Sequence, residues 1–137
     1  MLDWQMLGQF AQRFHAFTST FVDQVGVPRG QAAALMQIAH VEGMTQTQIA
    51  NALCIQGATV TTMLQRMEDA KLIHRERDAN DNRLVRVYLT DHGRAKVDVI
   101  AGCLKVVEER ISQGIPQAEL DQMRLLVERM IANMDAA

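Results

Sequence analysis

Asp81-Asn82-Arg83-Leu84-Val85-Arg86-Val87-Tyr88-Leu89-Thr90-Asp91-His92-Gly93 puts a charged turn, an alternating strand and a helix start into thirteen residues. Ahead of it, Asp78-Ala79-Asn80 supplies short polar side chains that hydrogen-bond their own backbone, so a hairpin tip is predicted between Arg77 and Leu84. From Leu84 to Leu89, Val85, Val87 and Leu89 share one face and Arg86 and Tyr88 the other, the period of a half-buried strand. The partner strand is Leu72-Ile73-His74-Arg75-Glu76-Arg77. Thr90 is placed to cap the following helix, with Asp91 favoured by its dipole. A small basic ribbon of this kind suits a groove of DNA; an Asp81 and Arg83 pair that merely sits in solvent is the alternative.

The bulk composition bounds what such a ribbon can belong to. With 137 residues, 48% of them apolar and 22% charged, the chain is expected to form one soluble domain with a real core. No apolar run approaches the roughly 18 residues of a membrane span. Met1-Leu2-Asp3-Trp4-Gln5 does not resemble a secretory signal, so a cytoplasmic location is expected. Cys54 and Cys103, without a C-x-x-C, read as buried small hydrophobes. His15, His40, His74, His92 and the cysteines lack zinc-ligand spacing, and neither a metal nor a cofactor is expected. A Gly-rich phosphate loop and a nucleophile motif are both missing, which speaks against an enzyme.

The net charge of −2 becomes informative when divided along the chain. Residues 1–43 carry −1, residues 44–96 carry +2 and residues 97–137 carry −3. Within the middle third, residues 71–96 hold seven basic groups against four acidic ones. Positive charge thus gathers around the hairpin, a distribution that permits nucleic-acid binding.

Helical periodicity organises the rest. Trp4, Leu7, Ala11, Phe14, Phe17, Phe21 and Val25 recur at three and four, predicting an amphipathic helix up to Val25. After Gly26-Val27-Pro28, a second helix is predicted from Arg29 to about Val41, with Ala32, Leu35, Ile38 and Ala39 inward. Thr45-Gln46-Thr47-Gln48 reads as a capping box opening a short third helix, and Cys54-Ile55-Gln56-Gly57 as a tight connection to a fourth helix over about 57–70. Two short helices across a tight turn make a helix-turn-helix.

In the fourth helix Val60, Met63, Leu64 and Met67 form the inward stripe, leaving Ala58, Thr59, Thr61, Thr62, Gln65 and Arg66 outward. Three threonines are poor helix formers, but with Gln and Arg they are side chains that read base edges and phosphates. A short helix that simply tolerates β-branched residues is the plainer reading. Beyond the hairpin come a long helix from Thr90 to about Ser112, with Val99, Ile100, Cys103, Leu104, Val107 and Ile111 on its apolar face, a break at Gln113-Gly114-Ile115-Pro116, and a last helix carrying Leu120, Met123, Val127, Met130, Ile131 and Met134. A lobe of residues 28–90 cannot cover such terminal helices by itself. Residues 1–27 and 91–137 are therefore expected to form a homodimer, although a monomer folded on itself is the alternative.

The runs Thr45-Gln46-Thr47-Gln48-Ile49-Ala50, Ala58-Thr59-Val60-Thr61, Leu72-Ile73-His74-Arg75 and Asp81-Asn82-Arg83, with Val87-Tyr88-Leu89-Thr90-Asp91-His92-Gly93, resemble the MarR family of bacterial transcription regulators over nearly the whole chain. The resemblance implies a mostly helical winged helix-turn-helix with a small β-hairpin and long terminal dimerisation helices. It further implies a dimer on a palindromic double-stranded DNA operator, usually repressing until a small molecule or oxidant releases it. Arg83 matches the wing arginine of the minor groove and Asp81 the acid that holds it; Thr59, Thr61 and Thr62 fall on the recognition helix, followed by Gln65 and Arg66. Lys71 departs from the family, which has Gly there. Phe14, His15, Met36 and His40 are the candidates for an effector pocket, unless they are ordinary core and surface side chains. Two other readings stay open: redox control through Cys54, and a winged helix that binds protein rather than DNA.

Overall fold

The computed structural model describes residues 3–137, and several of its helices begin where a short polar side chain holds free backbone donors. Asp3 accepts from the Gln5 and Met6 amides at 3.0 and 3.2 Å and opens α1 (Trp4–Val22). The α-helix ends at Val22, three residues earlier than its apolar period suggests, and tightens into a 3-10 turn, Asp23–Val25, stopped by Gly26 at φ 80°. Pro28 precedes α2 (Arg29–His40), and the Arg29–Asp23 ion pair, 2.8 Å, spans the turn. Ala32, Ala34, Leu35 and Ile38 of α2 are buried, whereas Ala39, expected inward, is exposed. Because α1, α3, α4 and β3 all pack against α2, its buried arc widens to Ala34 while its last turn stays open.

A two-residue strand that periodicity cannot show, β1 (Met44–Thr45), comes next. Thr45 also caps α3 (Gln46–Leu53): its hydroxyl accepts from the Gln48 amide at 3.1 Å and its own amide donates to Gln48 Oε1 at 2.9 Å, the predicted capping box. Cys54 then takes the left-handed conformation at φ 54°, and the Ile55 amide reaches back to the Ala50 carbonyl at 3.0 Å. Helix α4 (Gly57–Asp69) buries Val60, Leu64 and Met67. It closes the same way, with Lys71 at φ 61° and the Leu72 amide on the Met67 carbonyl at 3.0 Å.

Strands β2 (Ile73–Arg77) and β3 (Val85–Leu89) pair antiparallel from Ile73 opposite Leu89 to Arg77 opposite Val85, and β1 lies on the other side of β3, Met44 opposite Val87. Thr90 ends the sheet. Its hydroxyl donates to the Lys71 carbonyl (2.6 Å) and accepts from the Gly93 amide (3.0 Å), starting α5 (Asp91–Ile111). Gly93 is required there for contact reasons: a Cβ at this position would lie 2.0 Å from the Leu72 carbonyl oxygen.

The chain divides into two compact units, Met1–Leu104 and Lys105–Ala137. In the first, Leu35, Ile38, Ile49, Leu64, Met67, Ile73, Val87 and Ile100 are fully buried and join α2, α3, α4, the sheet and the start of α5 in one core. The α1 stripe is only partly inside: Val25 is buried and Phe17 and Phe21 are half-buried, while Trp4, Leu7 and Phe14 lie in solvent, Trp4 at 76% exposure. Val99 of α5, expected on its apolar face, is likewise exposed. In the second unit α6 (Gln117–Asp135), which follows Gly114 at φ 79°, buries none of its residues; Met123, Val127, Met130, Ile131 and Met134 are all exposed. Ile111, at the end of α5, is exposed too. No helix of the described residues is long and apolar enough to cross a membrane.

Candidate nucleic-acid interface

Because Val60, Leu64 and Met67 turn one side of α4 into the core, Ala58, Thr59, Thr61, Thr62, Gln65 and Arg66 are all exposed on the other. The hydroxyls of Thr61 and Thr62 donate back to the Gly57 and Ala58 carbonyls at 3.0 and 3.2 Å. What these threonines leave outward is a methyl group and an accepting oxygen, a surface suited to a thymine methyl or a base amino group. Thr59, Thr62 and Arg66 line one side of an open groove of about 520 Å³, whose other side is Pro28 and Gln31. Arg66 enters no ion pair among the described residues.

Gln65 is held differently. Its Oε1 accepts from Arg75 Nη2 and its Nε2 donates to Asp69 Oδ1 at 3.0 Å. Arg75, on β2, also donates to Gln46 Oε1 (3.2 Å) and Glu68 Oε1 (3.1 Å), while its amide meets Glu68 Oε2 at 2.9 Å. One guanidinium thereby joins the start of α3, the outer face of α4 and the first wing strand. The Arg75 hydrogen bond holds the Glu68 carboxyl below its usual range.

At the wing tip, Asp78 Oδ1 accepts from the amides of Asn80 (2.8 Å) and Asp81 (3.0 Å), and its other oxygen accepts from Arg86 Nε. Arg86 Nη1 continues to the Gly43 carbonyl at 2.8 Å, tying the tip to the residue before β1. On this organised turn, Arg83 Nε and Nη2 donate to the two oxygens of Asp81, both at 3.1 Å, and the Arg83 amide adds a 3.0 Å bond. The Arg83 side chain is nevertheless 89% exposed. It projects from the tip in a bidentate clasp that uses one edge of the guanidinium and leaves the other edge free. Side-chain hydrogen bonds from Arg86 and Arg83 lower the pKa values of Asp78 and Asp81, respectively.

The sequence reading found Asp81 and Arg83 and the threonine face; Arg83 and the threonines are exposed and Asp81 is half-buried beneath Arg83. It passed over Arg75, Arg86 and the organising role of Asp78. An Asx turn was legible at Asp78, but bonds from β2 to α4 and from β3 to Gly43 join residues far apart in sequence. They also consume the local basic surplus: Arg75, Arg83, Arg86 and Arg94 each sit in an ion pair.

Cys54, read as a buried hydrophobe, is instead exposed, because the left-handed turn residue between α3 and α4 points its side chain outward; Cys103 is half-buried, its thiol 3.8 Å from the Phe21 carbonyl. Of the effector candidates, Phe14 is exposed and stacked on Phe10 at 5.9 Å, His15 and His40 are exposed, and Met36 packs against the core. They do not line the groove beside α4. Among the described residues, no three His, Cys, Asp or Glu side chains are grouped so as to hold a metal ion.

Comparison with known proteins bears on the same lobe. The MarR family model matches residues 27–85. The chain is 25% identical over 103 residues to the HTH-type transcriptional regulator YdgJ of Bacillus subtilis, aligning 75% of itself and spanning only 61% of that relative's length. It is 29% identical over 127 residues to the transcriptional regulator HosA of Escherichia coli, covering 90% of this chain and 92% of HosA. Among solved structures, the transcriptional repressor CouR bound to a 23-mer DNA duplex shares the fold, with a TM-score of 0.84 at 24% identity over 95% of this chain and 92% of CouR. The stretch that matches the MarR family model, from Val27 into β3, is thus the one that carries the helix-turn-helix and the wing with its Asp81–Arg83 clasp.

Proposed function

We propose that the chain is a cytoplasmic homodimeric repressor whose lobe of residues 28–90 binds a palindromic double-stranded DNA operator. Helix α4 lies in the major groove with Thr59, Thr61, Thr62, Gln65 and Arg66 against bases and phosphates, and Arg83 enters the neighbouring minor groove where A·T-rich sequence narrows it. Asp81 orients Arg83 and makes no DNA contact. The observation that carries this reading is the Arg83 clasp, an arginine 89% exposed yet fixed in direction by two bonds to Asp81. Free surface arginines have no such constraint, and a fixed one enters a groove with less rotamer entropy to lose.

Dimerisation through residues 1–27 and 91–137 is supported by the apolar side chains that α1 and α6 leave in solvent. Repression and release by a small-molecule effector complete the proposal. Repression is the role named for CouR, whose fold this chain shares, and effector release is what the resemblance to the MarR family implies.

The test is fluorescence anisotropy on duplexes recovered from a random pool, titrated with salt. Arg83→Ala should weaken binding at least tenfold, and Asp81→Ala several-fold, with unchanged circular dichroism. Undiminished affinity of a folded Arg83→Ala protein would overturn the wing assignment.

A further inference from the structure

Resting on the assignment of α4 as the recognition helix, we propose that Gln65 is a preset adenine reader and that Arg75 is the positioning residue that presets it. A primary amide has two N–H donors and an oxygen with two lone pairs. In Gln65 one lone pair is taken by Arg75 Nη2 and one N–H by Asp69 Oδ1. These partners carry opposite charge, so the amide cannot turn over: a flip would set N–H against a guanidinium and oxygen against a carboxylate.

One donor and one acceptor of the amide remain unpaired on an exposed residue of the outer face of α4. That pair complements the N7 acceptor and N6 amino group of adenine, and it mismatches guanine, whose N7 and O6 both accept. Arg75 cannot swing away from Gln65 at little cost, since Glu68 and Gln46 hold the same guanidinium and its side chain is only 18% exposed. Arg75 acts on DNA through Gln65 and has no contact of its own with the bases.

The experiment uses duplexes that the wild-type protein recovers from a random pool, together with the same duplexes in which each A·T pair of a half-site is replaced in turn by G·C. The wild type should lose about tenfold in affinity at one such pair per half-site. Gln65→Ala should bind the A·T and G·C versions of that pair alike, and Gln65→Glu should shift the preference there toward cytosine. Arg75→Lys keeps the charge but loses the fork, and should lower discrimination at that same pair. In a Gln65→Ala background it should lower discrimination no further, a coupling that a purely structural arginine would not show.

Full adenine preference in Gln65→Ala, or in a folded Arg75→Lys protein, overturns the proposal. Should Arg75→Lys fail to fold, the exposed Gln65 variants decide, because a Gln65→Glu protein that still prefers adenine is equally fatal. A wild-type protein that binds no duplex at all overturns the recognition-helix assignment itself.

Discussion

Two residues show how single positions set the geometry of the lobe. Lys71 stands at φ 61°, a conformation in which a Cβ crowds the following carbonyl, so this helix end carries strain that glycine would not. Lys71→Gly should raise the unfolding free energy by about 1 kcal/mol in urea denaturation, and a loss of stability would show that the lysine side chain matters more than its backbone. Gly93 is the opposite case. With the Leu72 carbonyl 2.0 Å from the position a Cβ would take, and that carbonyl already accepting from the Thr90 amide at 3.1 Å, the clash is with paired backbone rather than with the end of a flexible side chain. Gly93→Ala should cost about 2–3 kcal/mol in the same assay, whereas a change below about 0.5 kcal/mol would mean that α5 shifts freely against β2.

The elements were unevenly legible in the sequence. Capping side chains and apolar period gave α1 to α6 their places, because Thr45, Thr90 and the Val60-Leu64-Met67 stripe act within a turn or two of themselves. β1 stayed hidden, since two residues have no period and their pairing with β3 is a contact across more than forty positions. The site divided along the same line. Asp81 and Arg83 are neighbours and could be read as a pair, while Arg75 acquires its meaning from Gln46, Gln65 and Glu68, which come together only when α3, α4 and β2 pack.

The stability of the wing and of its junction with α4 follows from three carboxylates. Asp78, Asp81 and Glu68 have native pKa values held below their ordinary ones by arginine partners, so each binds protons less readily when folded than when unfolded. Their contribution is complete above the unfolded values of about 3.9 for Asp and 4.3 for Glu, and is lost as pH falls through the lower native values. Urea midpoints should show no loss from these groups between neutral pH and about 5, then decline below about 4, with a shallower acid decline in Asp78→Asn. An acid limb identical in that variant would remove Asp78 from the account of the turn.

For the molecule as a whole, the apolar side chains left in solvent call for a cover. Helix α6 exposes Met123, Leu125, Leu126, Val127, Met130, Ile131 and Met134 and buries nothing, a surface a monomer in water does not keep bare. Sedimentation equilibrium should give twice the 15.4 kDa of one chain, and Ile131→Glu should shift the species toward one chain while the lobe keeps its circular dichroism. A wild-type protein of single-chain mass at micromolar concentration would contradict the proposed two-fold arrangement.

That arrangement makes a geometric demand on DNA, because two α4 helices related by a dyad read half-sites one helical turn apart, about 34–36 Å. Selection of bound duplexes from a random pool tests it directly. The expected result is an enriched inverted repeat with half-site centres about 10 base pairs apart, bound with an affinity that falls steeply as salt rises. A pool that shows neither enrichment nor salt-dependent binding would contradict the assignment of this lobe to DNA.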